Sequence, residues 1–371
     1  MTTTINADTT NGVKITSDTS GVLGLQTNGN TAISIDASQA VSFTNSANLP
    51  NTFGFKNRII NGAMVIDQRN AGASVNPPTD GGYSTVDRWR TFRSQASKYT
   101  IQQNAGAATP PVGFGFYLGV TSSSAYSITS SDYFMLNTRV EGFNWADLSW
   151  GTASASTATL SFWVQSSLTG TFGGSITNGN ENYSYPFTYT ISAANTWEFK
   201  TIVIAGPTAG TWVGATNGIG VSVWLGMGVG STNSGTAGSW SANGYYSATG
   251  ATSVVGTNGA TFYITGVQLE KGSTSTSFDY RPYGTEVFLC QRYYQSSAYA
   301  STSYPSSGGY ARAYVSFPVP MRVSPTMTFT ELGTGGSSLA TGSYTNGYFN
   351  TYESLSASSA GTFSWIATSE L

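Results

Sequence analysis

Apolar and polar positions alternate along most of this chain with the two-residue period of a half-buried strand, in short runs separated by Gly, Ser, Thr and Asn. The first runs are VKITSD, VLGLQT, TAISID and AVSFTN, within residues 1–50, with Thr-Ser-Gly, Asn-Gly-Asn and Ala-Ser-Gln turns between them. Their large apolar residues are few (Val13, Ile15, Val22, Leu23, Leu25, Ile33, Ile35, Val41 and Phe43). A piece this thin buries too little surface by itself, so copies of itself or a docking partner are expected to complete it. Its high polar content leaves a disordered tail as the alternative. A Pro/Gly linker, NLPNTFGFKN, follows from Asn48 to Asn57.

Candidate strands then succeed one another at Arg58–Ile66, Val86–Arg93, Tyr99–Gln103, Gly113–Val120, Tyr133–Val140, Thr157–Gln165, Tyr185–Ile191, Trp197–Ile204, Ile219–Leu225 and Thr261–Leu269. Strands at this spacing with no helical period between them predict a two-sheet sandwich or jelly roll. Phe162, Val164, Phe199, Ile202, Ile204, Val221, Val223 and Leu225 are the expected core, and Gly170–Tyr183 and Gly226–Gly259 the expected long loops. Glu270-Lys271-Gly272 ends the last strand in a turn, and Arg281-Pro282 holds the chain extended. Thr285 can cap a helix over Glu286–Tyr294, with Glu286 at the positive end of the dipole and Val287, Cys290 and Tyr294 on one face. Further strands are predicted at Ala311–Phe317, Thr326–Thr330, Ser343–Asn350 and Thr362–Ala367, punctuated by Pro318, Pro320 and Pro325. The chain is thus all-β and divides into a thin N-terminal β-rich anchor or stalk (1–50), a linker (51–57), a jelly-roll sandwich (58–283), a connecting helix (284–294) and a small C-terminal β domain (295–371).

Composition sharpens this picture. The chain has 371 residues, enough for two or three domains, and only 9% are charged against about 25% in ordinary soluble domains. A net charge of −2 gives no basic surface for nucleic acid or an anionic membrane. No secretory signal opens the sequence, and no run of about 18 apolar residues is present to insert in a membrane. The single cysteine, Cys290, has no partner for an internal disulfide and reads as a small buried hydrophobe. Histidine is absent, which removes Ser-His-Asp and Cys-His catalysis and histidine-ligated metals.

The remaining chemistry is thin except for aromatics. Glu141 and Asp147, in EGFNWADLSW, are the closest carboxylates in a loop-like stretch, which is weak ground for a glycosidase pair. Asp147, Asp279 and Glu270 offer oxygen ligands, but no Asp-x-Asp-x-Asp loop accompanies them, so no metal, cofactor or catalytic residue is expected. Asp67, Asp87 and Asp279 next to Arg58, Arg69, Arg88 and Arg281 read as structural ion pairs. By contrast Trp145, Trp150, Tyr183, Tyr185, Trp212, Trp240, Tyr245 and Tyr246 lie in or beside polar loops, as do Tyr299, Tyr304, Tyr310, Tyr344, Tyr348 and Tyr352 nearer the end. An exposed aromatic ring can stack on the C–H face of a sugar while Asn, Gln or Asp bonds its hydroxyl rim. Core or interface packing is the competing role for each ring.

GVQLEKG, YRPYGTE and LCQRYY, with NRIINGAMVIDQRNAG at Asn57–Gly72, Val86-Asp87-Arg88-Trp89 and NGVKITSDTSGVLGLQTNGNTAISID at Asn11–Asp36, make a pattern that resembles bacteriophage tail-fibre and receptor-binding proteins. The resemblance implies a jelly-roll domain like those of carbohydrate-binding modules, and a homotrimer assembled in the host cytoplasm into a virion. Its N-terminal segment would join other virion proteins, and its distal aromatics would meet host surface polysaccharide. A structural adaptor, head fibre or capsid decoration protein is the alternative, and a capsule-degrading enzyme a second one.

Overall fold

The computed structural model describes residues 23–27, 30–37, 41–43, 55–302, 310–332, 340–354 and 362–371. Its contacts divide the chain into Met1–Thr52 and Phe53–Leu371. In the first unit three short alternations pair antiparallel in the order β1 (Leu23–Thr27), β2 (Asn30–Ile35) and β3 (Val41–Phe43). Leu25 and Val41 are exposed, as the thinness of these strands leads one to expect. The run VKITSD lies outside the described residues.

The second unit is nearly all strand. β4 (Arg90–Arg93), β5 (Tyr99–Gln103), β6 (Leu118–Ser122), β7 (Tyr133–Glu141), β8 (Ala158–Ser166), β9 (Gly170–Thr177), β10 (Ser184–Ile191), β11 (Glu198–Ile204) and β12 (Ile219–Val229) build most of its sandwich. A small parallel pair, β13 (Ser234–Gly235) and β14 (Ser247–Ala248), and the long β15 (Thr261–Lys271) complete it. One antiparallel sheet has the order β10-β9-β12-β7-β4 and the other β11-β8-β15-β6-β5, the two layers of a jelly-roll sandwich. Between them the inward phases of the strands interlock: Leu160, Phe162 and Val164 of β8, Phe172 of β9, Val221, Val223 and Leu225 of β12, and Ile264 and Leu269 of β15 are all buried. Helix α1 (Tyr283–Gln291) leads to β16 (Tyr294–Ser301), β17 (Tyr310–Ser316), β18 (Thr326–Glu331), β19 (Ala340–Tyr344), β20 (Tyr348–Ser354) and β21 (Thr362–Thr368). These form two three-stranded sheets, β16-β21-β18 and β17-β20-β19, around Phe317, Met321, Phe349, Phe363 and Trp365.

Several expectations are corrected. Arg58–Ile66 alternates like a strand but runs as turns, because Asn61 and Met64 adopt left-handed backbone (φ 58° and 59°) and the Asn61 side chain bridges to both Ile66 N–H and Ile66 O. Val86–Arg93 and Gly113–Val120 contribute only their second halves to β4 and β6. Ser343–Asn350 is the hairpin joining β19 to β20. The expected loop Gly170–Tyr183 begins with β9, whose glycines hid it: a side chain at Gly174 would collide with the Trp224 carbonyl and the Phe187 ring. Gly226–Gly259 likewise begins inside β12 and holds the β13–β14 pair. Phe199 is 45% exposed, since it shares the outer phase of β11 with Thr201 and Val203 while Ile202 and Ile204 face the core.

The helix starts at Tyr283 after Pro282, which leaves Thr285 inside it, and ends at Gln291, so Tyr294 opens β16 instead. Cys290 is fully buried with Ile60, Ile66 and Tyr293, and burial pushes its thiol well above the ordinary cysteine range. Glu286 accepts the Asn61 N–H and the Arg281 guanidinium, tying the helix to the turns after Asn57.

The arginines do pair: Arg281 with Glu286 nearby in sequence, the others with distant carboxylates. Arg69 (2.5 Å) and Arg88 grip Glu370, Arg292 meets both oxygens of Glu141 at 3.0 Å, and Arg58 meets Asp147 at 3.0 Å. Arg322 donates to the Ser369 and Glu370 carbonyls, and Arg139 to that of Leu371 at 2.7 Å. The strand-rich C-terminal region is thereby latched onto the sandwich through residues 369–371.

Candidate functional site

The aromatics marked by their loops converge, but chiefly upon each other. Trp150 stands at the centre, edge-on to Trp145 (4.7 Å between ring centroids), Trp212 (4.8 Å) and Trp240 (5.3 Å). Tyr183 stacks on Trp240 at 5.5 Å and Tyr185 tilts against it at 5.3 Å. The indole N–H groups of Trp150, Trp212 and Trp240 donate to the carbonyls of Ser156, Ala209 and Ala205. Trp145 and Trp150 are buried and the other four half-buried. Rings and N–H groups so engaged clasp four interstrand connections together and leave little open face for a ligand.

The other candidates are dispersed. Tyr245 lies on Gly235, while Tyr246 packs on Trp224 (4.6 Å) and donates its hydroxyl to Glu181. Burial and the Glu181 charge push the Tyr246 phenol up to about 12. Tyr348 stacks on the exposed Tyr314 at 5.4 Å; Tyr310 opens β17, and Tyr304 lies outside the described residues. Tyr299, Tyr344 and Tyr352 are exposed on the C-terminal strands.

A more open aromatic surface lies on the outer face of the β11-β8-β15 sheet. The alternation that sends Leu160, Phe162 and Val164 inward sends Ser161 and Trp163 outward, and the register sets Phe199 of β11 beside Trp163 and Thr201 beside Ser161. Phe199 and Trp163 meet at 5.4 Å. On the other flank β15 bulges at Gly266, whose φ of +60° suits glycine. A Cβ there would strike the Phe114 ring and crowd Trp163, so the bulge lets Phe114 close over the strand.

The chain after β15 returns over this face and forms the second wall. Glu270 accepts the Thr276 N–H (2.9 Å) and hydroxyl (2.7 Å), and Gln268 takes the Asp279 N–H at 2.8 Å. The Thr201 hydroxyl reaches Ser275 at 3.2 Å. Phe114, Phe278 and Tyr280 then pack as a triad with centroids 4.8–5.4 Å apart, and the Tyr280 hydroxyl donates to Gly113 O. Burial raises that phenol's pKa.

Between the walls runs an open cleft of about 320 Å3, lined by Phe114, Ser161, Trp163, Phe199 and Gly266 together with Ser275–Tyr280 excluding Asp279. That volume is at the lower end of the roughly 300–1,000 Å3 common for ligand pockets. Rings and hydroxyls side by side are what a pyranose needs, one for its C–H face and the other for its rim. Trp163 and Phe199 carry no loop signal. The informative signal was the pair Phe162-Trp163, which in any strand must put one aromatic ring on each face.

A second cavity, of about 190 Å3, lies across Phe278 and Tyr280 and is lined also by Asn57, Asn61, Asp279, Arg281, Tyr283 and Glu286. Its charges are already matched, since Arg281 bonds Glu286 and the carbonyls of Asn57 and Ile59. It reads as the joint between helix and sandwich. Of the oxygen ligands considered, Asp147 binds Arg58 and Lys271, Asp279 the Asn57 N–H, and Glu270 the returning segment. Among the described residues no cluster of three or more such side chains could hold a metal ion, and no helix is long and apolar enough to cross a membrane.

No protein-family model and no curated protein matches the chain. Solved structures similar to parts of it include the enzymatically active domain of tailspike protein 4 of bacteriophage CBA120, at 12% identity and a TM-score of 0.32 over 58% of this chain and 22% of that one. A family 11 carbohydrate-binding module from Clostridium thermocellum, in complex with a mixed-linked tetrasaccharide, gives 12% identity and a TM-score of 0.26 over 54% of this chain and 96% of that one. A family 61 carbohydrate-binding module in complex with β-1,4-galactotriose gives 13% and 0.27 over 53% and 99%. The chain thus spans about a fifth of the length of that tailspike domain.

Proposed function

We propose that this chain is a subunit of a bacteriophage virion fibre that recognises host surface glycan through the cleft on the outer face of β11, β8 and β15. The observation that carries the reading is the cleft itself, in which the half-buried ring of Trp163 and the exposed ring of Phe199 lie beside the hydroxyl residues Ser161, Ser275 and Thr276. The sequence resemblance to tail-fibre proteins supplies the setting. The three thin N-terminal strands, with Leu25 and Val41 exposed, support assembly with further copies and attachment to the particle through that segment. In this reading the subunit is a homotrimer that binds and does not cleave. No carboxylic acid lines the cleft, and Glu141 has both oxygens committed to Arg292.

The test is binding of the full chain to polysaccharide from susceptible and resistant cells. Phe199→Ala should weaken binding at least about tenfold, roughly 1.4 kcal/mol, without changing assembly, and no new reducing ends should appear in the polysaccharide. Unchanged binding by this variant, or release of reducing ends, would overturn the reading.

A further inference from the structure

Resting on the glycan reading above, we propose that the cleft selects an uncharged stretch of polysaccharide, whose sugar units carry no carboxylate, phosphate, sulfate or amine. Five of its lining residues are aromatic or glycine from five separate stretches of chain (Phe114, Trp163, Phe199, Gly266, Phe278), and Tyr280 adds a phenol. The rest are the hydroxyl residues Ser161, Ser275, Thr276 and Ser277, so no side chain of the lining is ionised at neutral pH.

The strands beneath the cleft can be accounted for completely. β8 has no charged residue, and β11 and β15 together have Glu198, Lys200, Glu270 and Lys271. Lys200 is in the phase opposite to Phe199 and Thr201 and donates to Glu198 at 2.6 Å. Glu270 is buried beneath the returning segment, with its oxygens taken by Thr276 and Gln268. Lys271 points to Asp147, donating to its backbone carbonyl at 2.9 Å. Each charge on these three strands is therefore already matched or turned away; on the returning segment Asp279 accepts the Asn57 N–H and Arg281 bonds Glu286.

An acidic sugar seated on these rings would surrender hydration around its carboxylate and find no cation in return, whereas a neutral sugar exchanges water for serine and threonine hydroxyls. Selectivity here comes from the missing counter-charge, which penalises the wrong ligand more than it strengthens the right one. Binding should accordingly be almost insensitive to ionic strength, because no ion pair is available for salt to screen.

The experiment uses the full chain and matched polysaccharides: a glucan, a galactan, a mannan and a xylan, each beside its carboxymethylated derivative. Expected are binding to at least one neutral member, at least about tenfold weaker binding to its carboxymethylated form, and less than about twofold change between ~50 and ~500 mM NaCl. Ser277→Lys, on the exposed wall of the cleft, should shift preference toward the carboxymethylated form and introduce salt dependence; Phe199→Ala should weaken both. Equal or tighter binding of the carboxymethylated form by the unaltered chain, lost in salt, would overturn the neutral-ligand inference and leave glycan recognition standing. Binding to neither class would overturn both.

Discussion

Replacing Glu370 by Gln removes one negative charge without changing shape, and the latch geometry says what should follow. Arg88 is 1% exposed and Glu370 9%, and Arg69, 11% exposed, shares the same carboxylate. Losing one partner of a buried ion pair costs about 3–5 kcal/mol, because the remaining charge is stranded. Three contacts soften the loss: Arg88 still donates to Arg139 O at 2.9 Å and lies 3.5 Å from the Tyr293 ring centroid, while Arg69 keeps Asp87 at 3.7 Å. The lower end, about 3 kcal/mol, is therefore expected. At roughly 2 °C per kcal/mol for a unit of this size the melting temperature should fall by about 6 °C in calorimetry. Asp147→Asn is the control, for Asp147 is 47% exposed and its pair with Arg58 should contribute less than about 1 kcal/mol. If Glu370→Gln costs no more than Asp147→Asn, residues 369–371 do not latch the C-terminal strands and the ion-pair reasoning fails.

Three further outcomes follow from the packing and the titrating groups. Gly174→Ala should destabilise by about 1–3 kcal/mol, measured by denaturant midpoint, because its methyl would press on Phe187 and the Trp224 carbonyl. Cys290 should react with a thiol reagent only as fast as the protein opens, and Cys290→Asp should abolish soluble folded protein, since the site is closed by Ile60, Ile66 and Tyr293. Asp132 and Asp87 should tilt the pH profile in opposite directions. Burial alone would raise the Asp132 carboxyl, but hydrogen bonds from Ser94, Thr129 and Tyr126 hold it at about 2, so its stabilisation is present above about 4 and fades as pH falls toward 2. Burial pushes Asp87 up to about 6 against the pull of Arg69, so its contribution is greatest below about 4 and is lost as pH rises through 6. Comparing Asp132→Asn with the parent in urea should therefore show a stability gap that narrows steadily below about pH 4.

Strands with clear alternation were legible in the sequence to within a few residues: β5, β7, β8, β10 and β11 begin or end where their apolar phase does. What escaped were places where backbone geometry or a remote neighbour overrides the local pattern. β9 is rich in glycine because its neighbours approach too closely for side chains, and glycine reads as loop. Arg58–Ile66 alternates like a strand yet is coiled by two left-handed residues, Asn61 and Met64. The latch was hidden because Arg69 and Arg88 each have an aspartate nearby in sequence, while their shared partner Glu370 lies near the last residue of the chain. For the site, loop position proved a poor guide to exposure. Six loop aromatics turned to one another, whereas Trp163 and Phe199, read as strand residues with Phe199 assigned to the core, have their rings on the outer face.

The most direct measurement is calorimetric titration of the polysaccharide that the chain recognises into the parent, Phe199→Ala and Trp240→Ala, each with its melting temperature. Phe199 is 45% exposed, so its removal should weaken binding at least about tenfold while the melting temperature stays within about 2 °C. Trp240, wedged among Trp150, Trp212 and Tyr183, should lower the melting temperature more and the affinity less. The reverse pattern, with affinity lost at Trp240 and untouched at Phe199, would contradict the placement of recognition in the cleft.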